Sequence, residues 1–243
     1  MIKTGLIGFG AWGKILYRKM KNISEVEFVC GSDTPYVDKL DKVNWVVIAT
    51  PDTTHYTIVK DCLLAGKDVF CEKPLSLTYL KSKKLFDLAE KKHLKLYVDD
   101  IEKYKEHKVD FLKYNFVERK KVGNADVSRL LYILAYHDIY LLHDHIKNKQ
   151  IKNVVPYDIK DKLHFKVEYD DAQIEFLYTA GGTKKIHYIN DCNLSNNNDA
   201  LSKMLTSVFN SKANFNQNKE TTLFVNSFID SIKTRLYGEV KHV

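Results

Sequence analysis

The chain has 243 residues, 44% of them hydrophobic and 28% charged, enough for one large domain or two small ones built on substantial cores. No apolar run nears the ~20 residues of a membrane span, and the opening Met1-Ile2-Lys3-Thr4-Gly5-Leu6-Ile7 lacks the layout of a signal peptide, so a cytoplasmic protein is expected. The net charge of +7 is spread along the chain without a basic tract interleaved with aromatics, which argues against nucleic acid as a partner.

The first hundred residues alternate strand and helix. Lys3-Thr4-Gly5-Leu6-Ile7 is a short strand ending in Gly8-Phe9-Gly10-Ala11-Trp12-Gly13. Ala11 to Asn22 reads as a helix, since Trp12, Ile15, Leu16 and Met20 recur at helical spacing. Val26 to Cys30 is the second strand. Trp45 to Ala49 is the third, a continuous apolar run of the kind covered on both faces in a parallel sheet. Thr53 or Thr54 is placed to cap the next helix, which ends near Ala65-Gly66. Asp68 to Cys71 is the fourth strand. Ser76 opens a lysine-rich helix to about Lys92, and Leu94 to Val98 is the fifth strand. These spacings imply a parallel sheet with right-handed crossovers.

The pattern changes near residue 100, which sets the expected domains at 1–100 and 101–243, the C-terminal helix packing back on the first. In the second, Val109 to Val117 looks like one strand and Asp126 to Lys147 like one long helix. Ile151 to Val155, Leu163 to Tyr169, Gln173 to Tyr178 and Lys184 to Ile189 look like strands. Asp170-Asp171 and Gly181-Gly182 suggest antiparallel hairpins. Residues 190–219 are asparagine-rich and poorly patterned, and a final helix runs from about Thr222 to Leu236. The expected fold is α/β: a Rossmann-type parallel sheet followed by a smaller α+β domain with a mostly antiparallel open sheet. Phe165, Val167 and Tyr169, with Ile174, Phe176 and Tyr178, are expected to supply two apolar faces, one for helices and one for a partner copy in a homodimer or homotetramer.

The glycine group follows a strand and opens a helix, the setting of a dinucleotide-binding turn. Gly8 permits the turn, Gly10 admits a pyrophosphate and Gly13 lets the helix pack closely. The helix N-terminus offers N–H groups to phosphate. Asp33, twenty residues past Gly13, is placed to accept from both ribose hydroxyls, which favours NAD; Lys39 or Lys42 nearby would offset that charge and leave NADP open. Lys73 stands at the carboxyl end of a parallel strand, where ligands bind in such sheets. Its ammonium suits a hydroxyl or carbonyl oxygen at a carbon exchanging hydride. Cys30, Cys62, Cys71 and Cys192 form no Cys-x-x-Cys pair, so structural zinc and a redox dithiol are not expected. His143-Asp144-His145 has helical spacing that spreads its side chains apart, so no metal is expected there either.

Together, Gly8-Phe9-Gly10-Ala11-Trp12-Gly13, Ala49-Thr50-Pro51 with His55, and Glu72-Lys73-Pro74 resemble the glucose–fructose oxidoreductase / inositol dehydrogenase (Gfo/Idh/MocA) family, of which the chain would be a short and divergent member. The resemblance implies that the glycine loop with Phe9, Ala11 and Trp12, the Thr50-Pro51 strand end, His55 and Glu72 serve the cofactor. It implies that Lys73 lies near the nicotinamide and the substrate hydroxyl. His137, in His137-Asp138-Ile139-Tyr140-Leu141-Leu142, takes the place of the family's catalytic histidine. The family's Asp four residues earlier is Ile133 here, and Tyr140 stands where an acidic residue is common; if His137 is catalytic, Tyr140 is the expected phenolic substitute partner. A histidine satisfied at a buried helix–sheet contact is the competing reading of His137.

The expected function is an NAD(P)-dependent oxidoreductase acting on a sugar, polyol or nucleotide-sugar hydroxyl or ketone. The alternative is a cofactor-binding regulator or partner subunit without turnover.

Overall fold

The structure is a computed structural model that describes residues 1–31, 34–105, 108–195 and 199–238. In chain order its elements are β1 (Lys3–Ile7), α1 (Ala11–Met20), β2 (Glu25–Cys30), β3 (Trp45–Ile48), α2 (Asp52–Leu64), β4 (Asp68–Cys71), α3 (Tyr79–Lys91) and β5 (Leu96–Val98). There follow β6 (Tyr114–Lys121), α4 (Tyr136–Ile146), β7 (Asn153–Asp158), β8 (Leu163–Glu168), β9 (Gln173–Ala180), β10 (Ile186–Ile189), β11 (Cys192–Asn193), α5 (Ala200–Phe209) and α6 (Phe215–Tyr237). Two compact units result: residues 1–104 with 199–226, and 105–198 with 227–243. Helix α6 contributes to both.

The first unit holds a sheet of order β2-β1-β3-β4-β5, parallel throughout. Alternation along the strands splits its buried side chains between two faces. Val46, Ile48, Val69 and Cys71 pack with Val59 and Leu63 of α2 and Leu85 and Phe86 of α3. Trp45, Val47, Phe70 and Tyr97 pack with Leu16 and Met20 of α1 and with Leu201, Met204, Leu205 and Val208 of α5. Both faces are covered, which is why β3 reads as an unbroken apolar run.

Helix α5 falls inside the stretch expected to be unpatterned, a correction. Its apolar residues recur at helical spacing, but asparagines crowd the flanks and Asp199 at its N-cap makes no side-chain cap bond. Two cap expectations also shift. Thr54 lies inside the first turn of α2 and bonds back to the Pro51 carbonyl, while Pro51 takes the N-cap position. Thr78, not Ser76, caps α3, and its side chain accepts from the Lys81 amide.

The second unit holds a sheet of order β11-β10-β6-β9-β8-β7, antiparallel except for the β6–β9 pair. The Asp170-Asp171 hairpin joins β8 and β9. Gly181-Gly182 closes no hairpin, because β9 and β10 both pair with β6 and lie on opposite sides of it. The strand expected from Val109 begins at Tyr114. The helix expected over 126–147 is broken into a 3-10 turn at Val127–Arg129, a π-helical turn at Leu131–Ala135 and α4.

The expectation of two apolar faces is also corrected. Phe165, Val167 and Tyr169 alternate with half-exposed polar residues, Ile174, Phe176 and Tyr178 alternate with Glu175 and Leu177, and all six are buried. The register pairs Phe165 with Phe176 and Val167 with Ile174, so they share one face. The opposite face is mixed: His164 bonds to Glu175 at 2.8 Å and Lys166 to Glu168 at 2.7 Å, beside the partly exposed Phe116 and Leu177.

Candidate functional site

A cleft of about 610 Å³ opens in the first unit over the end of β1, lined by Gly8, Phe9, Gly10, Ala11, Trp12, Gly31, Ala49, Thr50 and Pro51. Its shape follows from two glycines. Gly8 has φ of +103°, and a Cβ there would stand 2.4 Å from the Ala49 carbonyl group. A Cβ on Gly13 would stand 2.0 Å from the Gly8 carbonyl oxygen, so only glycine lets α1 start this close to β1. Gly10, by contrast, faces open space. The loop is a bare backbone cradle at the N-terminus of α1, and that shape fits a pyrophosphate.

Behind the cradle, His55 is buried at 1% exposure. Its Nδ1 lies 2.7 Å from the Pro74 carbonyl oxygen and its Nε2 2.9 Å from the Thr50 carbonyl oxygen. One side chain thereby ties the ends of β3 and β4 together. Burial lowers its pKa and outweighs the opposite pull of the two carbonyls. His55 supports the cleft from beneath and does not line it.

Glu72 is buried as well, and its Oε1 accepts from the indole N–H of Trp12, so the glycine loop is anchored to the end of β4. Burial, then the charge of Asp99, raises the Glu72 pKa well above the carboxylate range. Burial raises Asp99 too. The two carboxyls interact directly, an interaction that pushes Glu72 further up and pulls Asp99 down. The Lys73 charge acts on Glu72, Asp99 and His55, so this half-buried lysine stands among them at the carboxyl end of β4. The Lys73–Pro74 peptide is cis. Next along, Asp100 accepts from the Tyr97 hydroxyl at 2.8 Å, and burial pushes its pKa up to about 7.

The first unit therefore assembles Gly8, Phe9, Gly10, Ala11, Trp12, Thr50 and Pro51 around one cleft, with Gly13, His55 and Glu72 as its supports. Asp33 lies outside the described residues. Ala49, the first residue of the Ala49-Thr50-Pro51 strand end, also lines the cleft; Gly31 was missed, although it directly follows β2, which ends at the cleft. Lys39, beside that region, reaches the Cys30 sulfur at 3.5 Å.

In the second unit, His137 is half-buried and Tyr140 is buried against Tyr136, ring centroids 5.5 Å apart. Both sit in α4. Ile133 sits in the π-helical turn, where the Tyr136 amide donates to the Leu131 carbonyl five residues back. The extra residue per turn breaks the α-helical spacing that would stack Ile133 beneath His137. One residue along, Asp138 is fully buried and accepts from His187 Nε2 at 2.6 Å and Arg119 Nη1 at 3.3 Å. Their charges hold its pKa below the usual range in spite of burial. Neither Arg119 nor His187 was singled out in the sequence. Among the described residues no group of three or more His, Cys, Asp or Glu side chains could hold a metal ion, and no helix is long and apolar enough to cross a membrane.

Residues 18–100 match the GFO_IDH_MocA family, described as an oxidoreductase family with an NAD-binding Rossmann fold. The chain is 28% identical over 230 residues to the inositol 2-dehydrogenase/D-chiro-inositol 3-dehydrogenase of Lactiplantibacillus plantarum, covering 77% of this chain and 64% of that one. It resembles the solved UDP-N-acetylglucosamine 3-dehydrogenase of Acidithiobacillus ferrooxidans with a TM-score of 0.80 at 16% identity, covering 96% of this chain and 97% of the other. It also resembles a protein of gentamicin A biosynthesis crystallised with NAD, with a TM-score of 0.78 at 14% identity over 98% and 95% of the two chains. The match spans less than two thirds of the length of the curated relatives, from 15% of an uncharacterized oxidoreductase of Schizosaccharomyces pombe to that 64%. Residues 18–100 thus match the model of an NAD-binding oxidoreductase family, and the chain as a whole shares the fold of solved dehydrogenases.

Proposed function

We propose that the chain is an NAD(P)-dependent dehydrogenase or ketoreductase for a sugar, polyol or nucleotide sugar. One observation supports it above the rest. The cleft wall at Thr50 and the Lys73-Pro74 segment are joined through a single buried side chain, His55. A lysine is thereby held in fixed relation to a cradle shaped for a dinucleotide. The nicotinamide, when bound, supplies or takes the hydride. The backbone N–H groups of the loop hold the pyrophosphate, and Gly8, Phe9, Gly10, Ala11, Trp12, Thr50 and Pro51 shape the cleft around it. Lys73 hydrogen-bonds the substrate oxygen and stabilises negative charge growing there. Glu72 and Asp99 flank the ammonium, and Asp33 is this reading's ribose ligand. In the second unit His137 exchanges the substrate proton, with Tyr140 as its phenolic partner. The same reading makes the protein a cytoplasmic homo-oligomer, checked by sedimentation at micromolar concentration.

The test combines NADH and NADPH fluorescence titrations with turnover on a panel of sugars and nucleotide sugars, for wild type and Lys73→Met. Turnover falls roughly a hundredfold or more in the variant, and cofactor affinity stays within a few-fold. Turnover that survives the substitution refutes the role of Lys73. A second reading, cofactor binding without turnover, is favoured by Ile133 in place of the family's Asp. Tight NADH binding with no activity anywhere on the panel selects it.

A further inference from the structure

The parallel register of β4 and β5 sets Cys71 opposite Val98, which brings the next residues, Glu72 and Asp99, side by side at the carboxyl ends of the two strands. Alternation along each strand turns both side chains to the face where Phe70 and Tyr97 pack. The backbone fixes them there: the Glu72 amide donates to the Ile48 carbonyl at 2.9 Å, and the Asp99 amide to the Cys71 carbonyl at 2.9 Å. Both carboxyls are buried and hydrogen-bonded to each other. An ionised carboxyl only accepts, so this contact needs a proton between the two groups.

Each carboxyl also holds a second element. Glu72 Oε1 accepts from the indole N–H of Trp12, a residue that lines the cleft. Asp99 Oδ1 accepts from the Ile101 amide at 2.8 Å, at the start of the 3-10 turn after β5. With one proton the pair carries a single negative charge, and the Lys73 ammonium acting on both members balances it. Without that proton two buried negative charges stand in contact and repel. Relief of the repulsion moves Glu72, and Glu72 carries the indole with it. The added charge also opposes a bound pyrophosphate.

We propose that Glu72 and Asp99 share one proton and together position the Trp12 edge of the cleft, so that loss of this proton at alkaline pH loosens the glycine loop and weakens dinucleotide binding. Asp99 acts through Glu72 and is a positioning residue. The dinucleotide half rests on the function proposed above; the Trp12 half needs no cofactor. Among the described residues, the other titratable groups facing the pair are Lys73 and Cys71 from β4, and Asp100 and Glu102 from the segment after β5. Burial holds the Cys71 thiol well above the ordinary thiol range, and Asp100 has its own control.

Tryptophan fluorescence of the cofactor-free chain is followed from pH 6 to pH 10 for wild type, Glu72→Gln, Asp99→Asn, Asp100→Asn and Trp12→Phe, with circular dichroism verifying the fold. The Glu72→Gln amide supplies a permanent N–H in place of the shared proton and keeps an oxygen for Trp12. Wild type and Asp100→Asn show a transition above neutral pH. Glu72→Gln and Trp12→Phe show none, and in Asp99→Asn, where a neutral neighbour replaces a charged one, it moves at least about one pH unit lower. A flat wild-type curve, a transition that survives in Glu72→Gln, or one unmoved in Asp99→Asn overturns the proposal. Lys73 and Glu102 remain in Glu72→Gln, so a transition of their own would survive there. NADH titrations over the same range show wild-type affinity falling by up to about tenfold per pH unit through the transition, and Glu72→Gln affinity level within about twofold. Level wild-type affinity through the transition overturns the coupling to the cofactor. No NADH binding at any pH, with the Trp12 transition intact, refutes the dinucleotide reading and upholds the pair's hold on Trp12. If Glu72→Gln is unfolded, the shift in Asp99→Asn provides the comparison.

Discussion

Asp100 offers a direct measure of what the buried carboxyls of the first unit cost. It is 4% exposed, its Oδ1 accepts from the Tyr97 hydroxyl, and burial lifts its pKa from 3.8 to about 7. An acid whose folded pKa stands above its unfolded value binds more protons folded than unfolded in the window between them. Stability therefore falls as pH rises from about 4 to about 7 and is level above that. Some three pH units separate the two values, which at ~1.4 kcal/mol each puts the loss at up to ~4 kcal/mol. Asp100→Asn keeps an oxygen for Tyr97 and removes the ionisation. Relative to wild type, the variant gains stability steadily from pH 4 to pH 7, whatever its offset at pH 4. Glu72 and Asp99 are present in both proteins, so their contributions largely cancel in the difference. Urea unfolding from pH 4 to 8 is the assay, and tryptophan fluorescence suits it because the chain's two tryptophans, Trp12 and Trp45, both lie in the first unit. Parallel stability curves for the two proteins would show that Asp100 is ionised in the folded state at neutral pH.

Three further substitutions test the supports. Gly13→Ala drives a methyl group into the Gly8 carbonyl, so NADH affinity measured by fluorescence falls at least tenfold and stability by about 1–3 kcal/mol; an unchanged titration shows that the loop yields. His55→Leu removes the ring between the Thr50 and Pro74 carbonyls; a neutral ring donates to one of them, so the loss is about 1–3 kcal/mol of stability, with weaker NADH binding. Intact cofactor affinity in a destabilised His55→Leu protein would separate the tie from the cleft. Asp138→Ala exposes Arg119 and His187 to each other without their shared carboxylate and costs about 3–5 kcal/mol in urea unfolding of the second unit, a loss that small surface ion pairs do not reach.

The first unit was legible because its signals are local. A strand that ends in Gly8, a helix that needs Gly13 at its start, and an apolar β3 are each read within a few residues, and parallel pairing follows from their order. Gly31 escaped because it reaches the cleft only through a neighbouring strand. Helix α5 escaped for a related reason: its apolar stripe gains meaning only against Trp45 and Phe70, far away in sequence. In the second unit the period-2 alternation of β8 and β9 was visible, yet which residues share a face depends on the register across the turn. The Gly181-Gly182 pair misled because a positive-φ glycine pair marks a turn without saying which strands it joins.

The arrangement around α4 shows how a motif can keep its residues and change its physics. In an α-helix, residues four apart stack, and a carboxylate at position 133 would orient the imidazole of His137. Here Ile133 replaces the carboxylate and the π-helical turn at Leu131–Ala135 breaks the stacking as well. The helix does bury a carboxylate, one residue after His137, and a single step turns the side chain by ~100° around the axis. Asp138 addresses the row formed by His187, Arg119 and Tyr178. Its negative charge holds the Arg119 guanidinium beside His187. The electrostatics of this edge of the sheet therefore rest on one residue of α4, since His187 and Arg119, on neighbouring strands, share Asp138 as their acceptor.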